Sequence, residues 1–541
     1  MKKPPLFVRE ATGLVRELGF VDYLIISLGC VNLLGGFVIA FLSAPFFFPG
    51  ANVILVFVMG AIPALAFVGM YSILGAGIPR SGGDYVWTGR ILGPRWATSM
   101  AFLFLFSQII AFPAGSAWGI IENALPQGFL ALGLSTKSPS LVSLASTIIQ
   151  PLNGYILSVL IIILIMMVGL LSVGTYRNVN RLSFSIYSAI LVIFLISLLS
   201  VSQSSFQASV DSLLKDYGVK YSAVVSAVNA NPQLTNFSLS NTILAFPLVG
   251  FFTYSGFNFS TYVAGETKRV STTIPKALVL AVLITMVCLL LETELCYFAM
   301  GTSFLNGVSY LYNTGALGSL PVQPTVTFLI ALASNPWMGF TVNLGVAVGN
   351  FLVALQTVVM FGRIVFALSF DGVIPQRFSD VNERFNTPHY AVLTVGFLSI
   401  LTEGLFWYGS GLLTGLLNSA IAVEMAYMIP GIAAFLLPMV RKDLYNRLIK
   451  PLPGWLGKGI GGWPLVSICG LGVTLIWGFG IYTELFPVSA YTYLGASLGY
   501  AIGMTITPII VALVVFELAR AYRKSKDQID ILMLFKEVPP E

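Results

Sequence analysis

The sequence predicts an all-α polytopic membrane protein with twelve transmembrane helices. Three observations predict it. First, apolar types make up 57% of the 541 residues and charged types only 9%. A soluble domain averages roughly 25% charged residues, so an ordinary soluble enzyme is excluded. A disordered chain is excluded too, because it would carry far less apolar surface. Second, the apolar residues fall in runs of about 20 or more, the length that crosses a hydrocarbon core of roughly 30 Å. Third, the net charge of +6 comes from Lys and Arg in the short connections between those runs. That is a membrane pattern and not a nucleic-acid one.

The twelve spans are 20–44, 52–76, 96–121, 151–174, 182–202, 242–265, 276–300, 338–368, 389–410, 411–437, 464–486 and 495–519. Span 1 follows about twenty residues of mixed charge and has no small-residue cleavage site, so it does not read as a signal peptide. Span 8 is longer than a core requires and is expected to tilt or project. Twelve spans put both ends on one side. All Lys and Arg except Lys137, Lys215 and Lys220 fall on that side, which marks it as cytoplasmic. The outer loops 122–150, 203–241 and 301–337 are rich in Ser, Asn, Thr and Gly. Asn236-Phe237-Ser238 in the second matches a glycosylation acceptor, or is a chance match in a solvated loop. The four Cys and one His form neither a disulfide framework nor a zinc cluster. No metal and no cofactor is expected.

A lipid-facing helix should be unbroken, because irregular backbone at membrane depth survives only beside a cavity or buried in protein. Spans 1 and 6 carry Gly and polar residues near their middles, at Ser27–Phe37 and Gly250–Asn258. They are five spans apart, so they enter from opposite sides. Interrupted segments in corresponding positions of two halves point to a midplane substrate site in an inverted repeat. An unwound stretch frees amide N–H groups for a carboxylate and carbonyls for an ammonium group or sodium ion. Alternatively, the glycines only permit close helix packing.

Three cytoplasmic stretches bear on that choice. Pro79-Arg80-Ser81-Gly82-Gly83-Asp84-Tyr85-Val86-Trp87 through Arg90 follows span 2. Ser255-Gly256-Phe257, Gly265-Glu266-Thr267-Lys268 and Ile274-Pro275-Lys276-Ala277 lie at and after span 6. Arg363 through Asp371-Gly372 and Pro375, with Thr387-Pro388, closes span 8. Together they resemble the loops of the amino acid–polyamine–organocation (APC) permeases, over about residues 15–440. The resemblance implies a 5+5 inverted repeat of the LeuT/APC type plus two peripheral helices. Its segments would be a cytoplasmic stretch 1–19, a first repeat 20–202, an outer loop 203–241, a second repeat 242–437, a cytoplasmic loop 438–463, spans 464–519 and a tail 520–541. It implies substrate binding at Asn32, Leu34, Gly35 and Gly36 in span 1, and at Phe252, Thr253, Tyr254, Ser255 and Gly256 in span 6. Two departures stand out. The span-1 glycines are adjacent where the family often shows Gly-x-Gly, and span 5 lacks the Lys that replaces a sodium ion in some members.

Ionisable residues within spans are functional candidates. Glu424 in span 10 and Glu403 in span 9 are the coupling candidates. Asp84 and Asp371 are read as gating or loop-shaping residues. Glu292 and Glu294, 16 and 18 residues past Lys276, are expected near the outer interface on different helix faces. Gln108, Asn350 and Gln356 are expected to bond between helices. The whole reads as a secondary active transporter of amino acids or related amines in the cytoplasmic membrane, not an enzyme. Its partners would be a small-molecule substrate, the lipid bilayer and a coupling ion, proton or sodium. An exchanger and a transporter-like nutrient receptor are the alternatives.

Overall fold

The computed structural model describes residue 14 and residues 16–409, 420–486 and 498–536. The start of span 10 (411–419), the start of span 12 (495–497) and the basic residues Lys2, Lys3 and Arg9 lie outside the described residues. The chain is almost wholly helical, and eleven of the described helices are long and apolar enough to cross a membrane. Span 2 is Val53–Gly77, span 4 Pro151–Leu170, span 5 Val173–Ser200, span 7 Val270–Met300 and span 8 Pro336–Phe370. Span 9 is His389–Tyr408, span 10 Ala420–Val440, span 11 Leu465–Leu485 and span 12 Leu498–Lys526. The starts are set by side chains that replace missing helical bonds. Asn52, Ser172 and Asn335 accept backbone N–H groups of the first turn, and Pro151 and Pro336 occupy a first position that needs no N–H.

The expected sixth span is absent from the eleven because it is broken into short pieces. Helix Leu239–Ala245 passes into a π turn at Phe246–Phe251, a single turn Phe252–Tyr254, and a 3-10 segment Phe257–Glu266. Span 1 is broken once, between Phe20–Val31 and Leu33–Phe47. Span 8 runs through the middle of the molecule: 94% of its most apolar window is buried. Small residues let neighbours approach it and each other. A side chain on Gly60 of span 2 would sit 2.6 Å from the Gly250 carbonyl carbon of span 6.

Two expectations need correction. Span 3 does not end near 121 but continues from Pro94 to Thr136. It passes two π turns, Ile110–Ala114 with Pro113 inside and Ile120–Ala124. The outer loops are also not simply solvated. Helices Gln203–Leu213 and Tyr221–Asn229 bury Phe206, Val210, Val224 and Val228. They pack on Thr302–Asn313, where Tyr221 stacks on Phe304 with ring centres 4.7 Å apart. Apolar residues one helical turn apart carried this signal inside a Ser- and Asn-rich composition.

The side holding the described ends is tied by charge. The chain before span 1 pairs with the chain after span 6: the Glu17 and Leu18 N–H groups donate to the Glu266 carbonyl, and the Lys268 N–H to that of Leu18. Arg363 of span 8 grips the Glu266 carboxylate at 2.9 and 3.2 Å. Arg90, in the helix Gly83–Ile91 after span 2, grips Asp371 at 2.8 and 2.9 Å. All four of these side chains are buried. The tail segment Ile531–Phe535 folds back beneath them. The Arg90 guanidinium lies 5.0 Å from the centre of the Phe535 ring, and Ile531 rests on Gly372.

Candidate functional site

The break in span 1 is made by Asn32, which adopts the left-handed conformation (φ 51°, ψ 68°). Asn tolerates this region because its short polar side chain bonds locally. The first half-helix ends with the Asn32 N–H on the Leu28 carbonyl at 3.2 Å. The second starts with the Gly35 N–H donating to Asn32 Oδ1 at 3.2 Å. The Leu34 N–H donates to the Tyr187 hydroxyl of span 5 at 2.7 Å. That hydroxyl donates to Asn32 Oδ1 at 3.3 Å. Asn32 Nδ2 donates to Asn350 Oδ1 of span 8 at 2.9 Å. A side chain on Gly35 or Gly349 would collide with the Asn32 amide.

The break in span 6 lies directly against it. Gly256 has φ +104°, which L side chains rarely adopt, and a Cβ there would stand 2.7 Å from the Cys30 carbonyl oxygen. Only Gly satisfies both demands. A Cβ on Gly36 would meet Thr253 Cγ2 at an ordinary 3.4 Å. Further toward the tied side, Ser27 and Ser260 hydroxyls bond at 2.9 Å. Below them Phe67, Phe104, Phe259, Phe361 and Tyr427 pack ring on ring.

The structure therefore brings together Asn32, the Leu34 amide, Gly35, Gly36, Thr253 and Gly256. It sends Tyr254 elsewhere: its hydroxyl donates to the Phe57 carbonyl of span 2 at 3.1 Å. The Leu34 side chain reaches toward Gly345 of span 8. Phe252 lies in the single turn before the break, and Ser255 is buried beside Gly256.

The acidic candidates separate by environment. Asp371 is held by Arg90. Asp84 Oδ2 accepts hydroxyls from Tyr71 at 2.5 Å and Tyr262 at 3.1 Å. Burial pushes the Asp84 carboxyl up to about 7, and the two tyrosine bonds oppose that rise. Glu403 accepts Trp407 Nε1 at 2.9 Å, and the same nitrogen reaches Ser158 of span 4 at 3.2 Å. Glu424 is buried, and neither carboxylate oxygen has a hydrogen-bond partner among the described residues. It presses on Gly480 of span 11, one turn before the buried Glu484.

Sequence reasoning missed three of these positions, Tyr187, Glu484 and Asn180. Tyr187 looked like one more aromatic in an apolar run, and Glu484 sits at a helix end. Glu292 is buried, with neither carboxylate oxygen partnered among the described residues, while Glu294 is exposed, so the two face different ways as expected. Asn180 of span 5 accepts Gln356 Nε2 at 2.9 Å. Neutral amides thus join spans 5 and 8 beside Gly29, where a Cβ would be 2.5 Å from Gln356 Nε2. The expected bonds between helices are present for Asn350 and Gln356. Gln108 is buried, and neither amide atom has a partner among the described residues.

Paired helix breaks inside a multi-pass apolar bundle are the arrangement in which membrane transporters build a midplane site. The amino acid permease family model matches residues 18–506, and the chain belongs to that family. It is similar to the branched-chain amino acid permease BcaP of Bacillus subtilis. The two are 25% identical over 400 residues, which cover 73% of this chain and 75% of that one. It is also similar to the methylthioribose transporter of Bacillus subtilis, at 23% identity over 380 residues covering 70% and 72%. A transporter of Mycobacterium tuberculosis is 22% identical over 384 residues, 70% of this chain and 72% of that one.

Proposed function

We propose that the protein is a secondary active transporter of amino acids in the cytoplasmic membrane, working by alternating access around the facing breaks of spans 1 and 6. The observation that carries this reading is the contact between the two breaks, with the amides of Leu34 and Gly35 bonded to side-chain oxygens and not to helix carbonyls. Amides outside the helical ladder can bind a carboxylate, and the positive end of a half-helix favours the negative charge. The similarity to a branched-chain amino acid permease supports an aliphatic amino acid, and L-leucine is the first probe. The similarity to a methylthioribose transporter favours a second reading, a neutral substrate with no carboxylate. Counterflow in proteoliposomes separates them: labelled leucine should exchange against internal leucine, isoleucine and valine, and not against methylthioribose.

We assign coupling to a proton on Glu424. Glu424 is buried against Gly480, one turn before the buried Glu484, and an unpaired charge is costly to bury, which supports Glu424 as the proton carrier. Protonation can drive transport only if it favours one access state. Glu424→Gln mimics the protonated form. Counterflow should survive, and leucine accumulation driven by an acid exterior should disappear. A Glu424→Gln protein that still concentrates leucine under a pH gradient removes Glu424 from the mechanism.

Both ends are assigned to the cytoplasm from the Lys and Arg bias. Lys215, Lys220 and Lys268 are all exposed, so each can report. An impermeant amine reagent on intact cells should modify Lys215 and Lys220 and spare Lys268; the reverse pattern inverts the topology.

A further inference from the structure

The amides in the span-1 break are not empty. The Leu34 N–H holds the Tyr187 hydroxyl oxygen at 2.7 Å and the Gly35 N–H holds Asn32 Oδ1 at 3.2 Å. The two oxygens are 3.3 Å apart and bonded to each other. The Leu34 amide at this half-helix start is held by an oxygen from another span, in the place a carboxylate oxygen would take. We propose that the Tyr187 hydroxyl stands in for a substrate carboxylate oxygen, and that substrate binds by exchange: the carboxylate takes the Leu34 amide and displaces the Tyr187 hydroxyl, while Asn32 keeps the Gly35 amide. This rests on the reading that the span-1 break receives the carboxylate.

The chemistry of the exchange favours the substrate. Tyr187 offers a neutral oxygen, and a carboxylate makes a charge-assisted bond to the same donor that is roughly twice as strong. The stand-in also removes a penalty: without it, the buried Leu34 amide would be unpaired whenever the site is vacant. Its geometry is enforced. Asn32 is wedged between Gly35 and Gly349, so its amide cannot swing far, and its Nδ2 is anchored on Asn350. Tyr187 is buried on span 5, and its hydroxyl keeps Asn32 Oδ1 as a partner when it leaves the Leu34 amide.

The exchange has a mechanical result. While Tyr187 holds the Leu34 amide, span 5 is bonded to span 1 at the break. A bound carboxylate severs that bond. Tyr187 is a positioning residue here, since it acts on the donor and not on the substrate. A neutral ligand lacking the carboxylate has no means of making the exchange.

The test is Tyr187→Phe, which removes the hydroxyl and keeps the ring. Freed of its competitor, the variant should bind L-leucine about 3- to 10-fold more tightly in equilibrium titration. Leucinol, which has no carboxylate, should show no such gain. A merely structural cross-link would lower the thermal midpoint of the variant without this contrast between the two ligands. Unchanged or weaker leucine binding by a folded variant overturns the proposal. A second measurement needs no substitution. In difference infrared spectra of the wild-type protein, L-leucine should shift a tyrosine C–O band and leucinol should not; absence of that shift also overturns it. Failure of the wild-type protein to bind leucine, isoleucine or valine at all would overturn the underlying site reading as well, and is thereby distinguishable.

Discussion

Replacing Arg363 with alanine will cost about 3–5 kcal/mol of stability, because it leaves the Glu266 carboxylate buried and uncompensated. The pair has two bonds, at 2.9 and 3.2 Å, and relative exposures of 3% and 2%. An exposed pair such as Arg447–Asp443 would lose far less, because water and salt screen it. The comparison is the experiment: thermal unfolding in detergent of Arg363→Ala beside Arg447→Ala, with the double variant Arg363→Ala/Glu266→Gln. The single core variant should fall far below the surface one, and removing the orphaned charge in the double variant should recover part of the loss. Arg363→Lys should lie between, since an ammonium keeps the charge but not the fork. A loss near 1 kcal/mol for Arg363→Ala would mean that water reaches Glu266.

Gly36→Leu should weaken leucine binding by roughly 10- to 100-fold while the protein stays folded, the range expected for forcing extra methylenes into a packed interval. A Cβ at this position makes only ordinary contacts, 3.4 Å to Thr253 Cγ2 and 3.5 Å to the Val31 carbonyl. Gly36→Ala should therefore be tolerated, and the larger side chain should extend between the two breaks. Titration of both variants with L-leucine reads the difference. A folded Gly36→Leu protein with native affinity would move the binding site away from the break.

The helices of the bundle were legible because hydrophobic length and Pro or polar starts are local signals. Pro151 begins span 4 and His389 span 9 where the sequence places them. The broken spans were legible for the same reason, since Gly256 and Asn32 sit among polar neighbours in otherwise apolar runs. The partners were not. Tyr187 meets Leu34 across 153 positions and Arg90 meets Asp371 across 281, and no single stretch encodes such a meeting. Span 3 was ended at 121, whereas π turns at Ile110–Ala114 and Ile120–Ala124 carry the helix on. The burial of Glu292 was not legible, because depth along a helix says nothing about what covers it.

The tail segment Ile531–Phe535 also orders events in time. A chain emerging from the ribosome makes its first half long before residue 531 exists. Asp371 can reach Arg90 only after 281 further residues have been made, and the Phe535 ring that covers this pair is supplied later still. A chain stopped before residue 531 would hold the Arg90–Asp371 pair without the ring that lies over it.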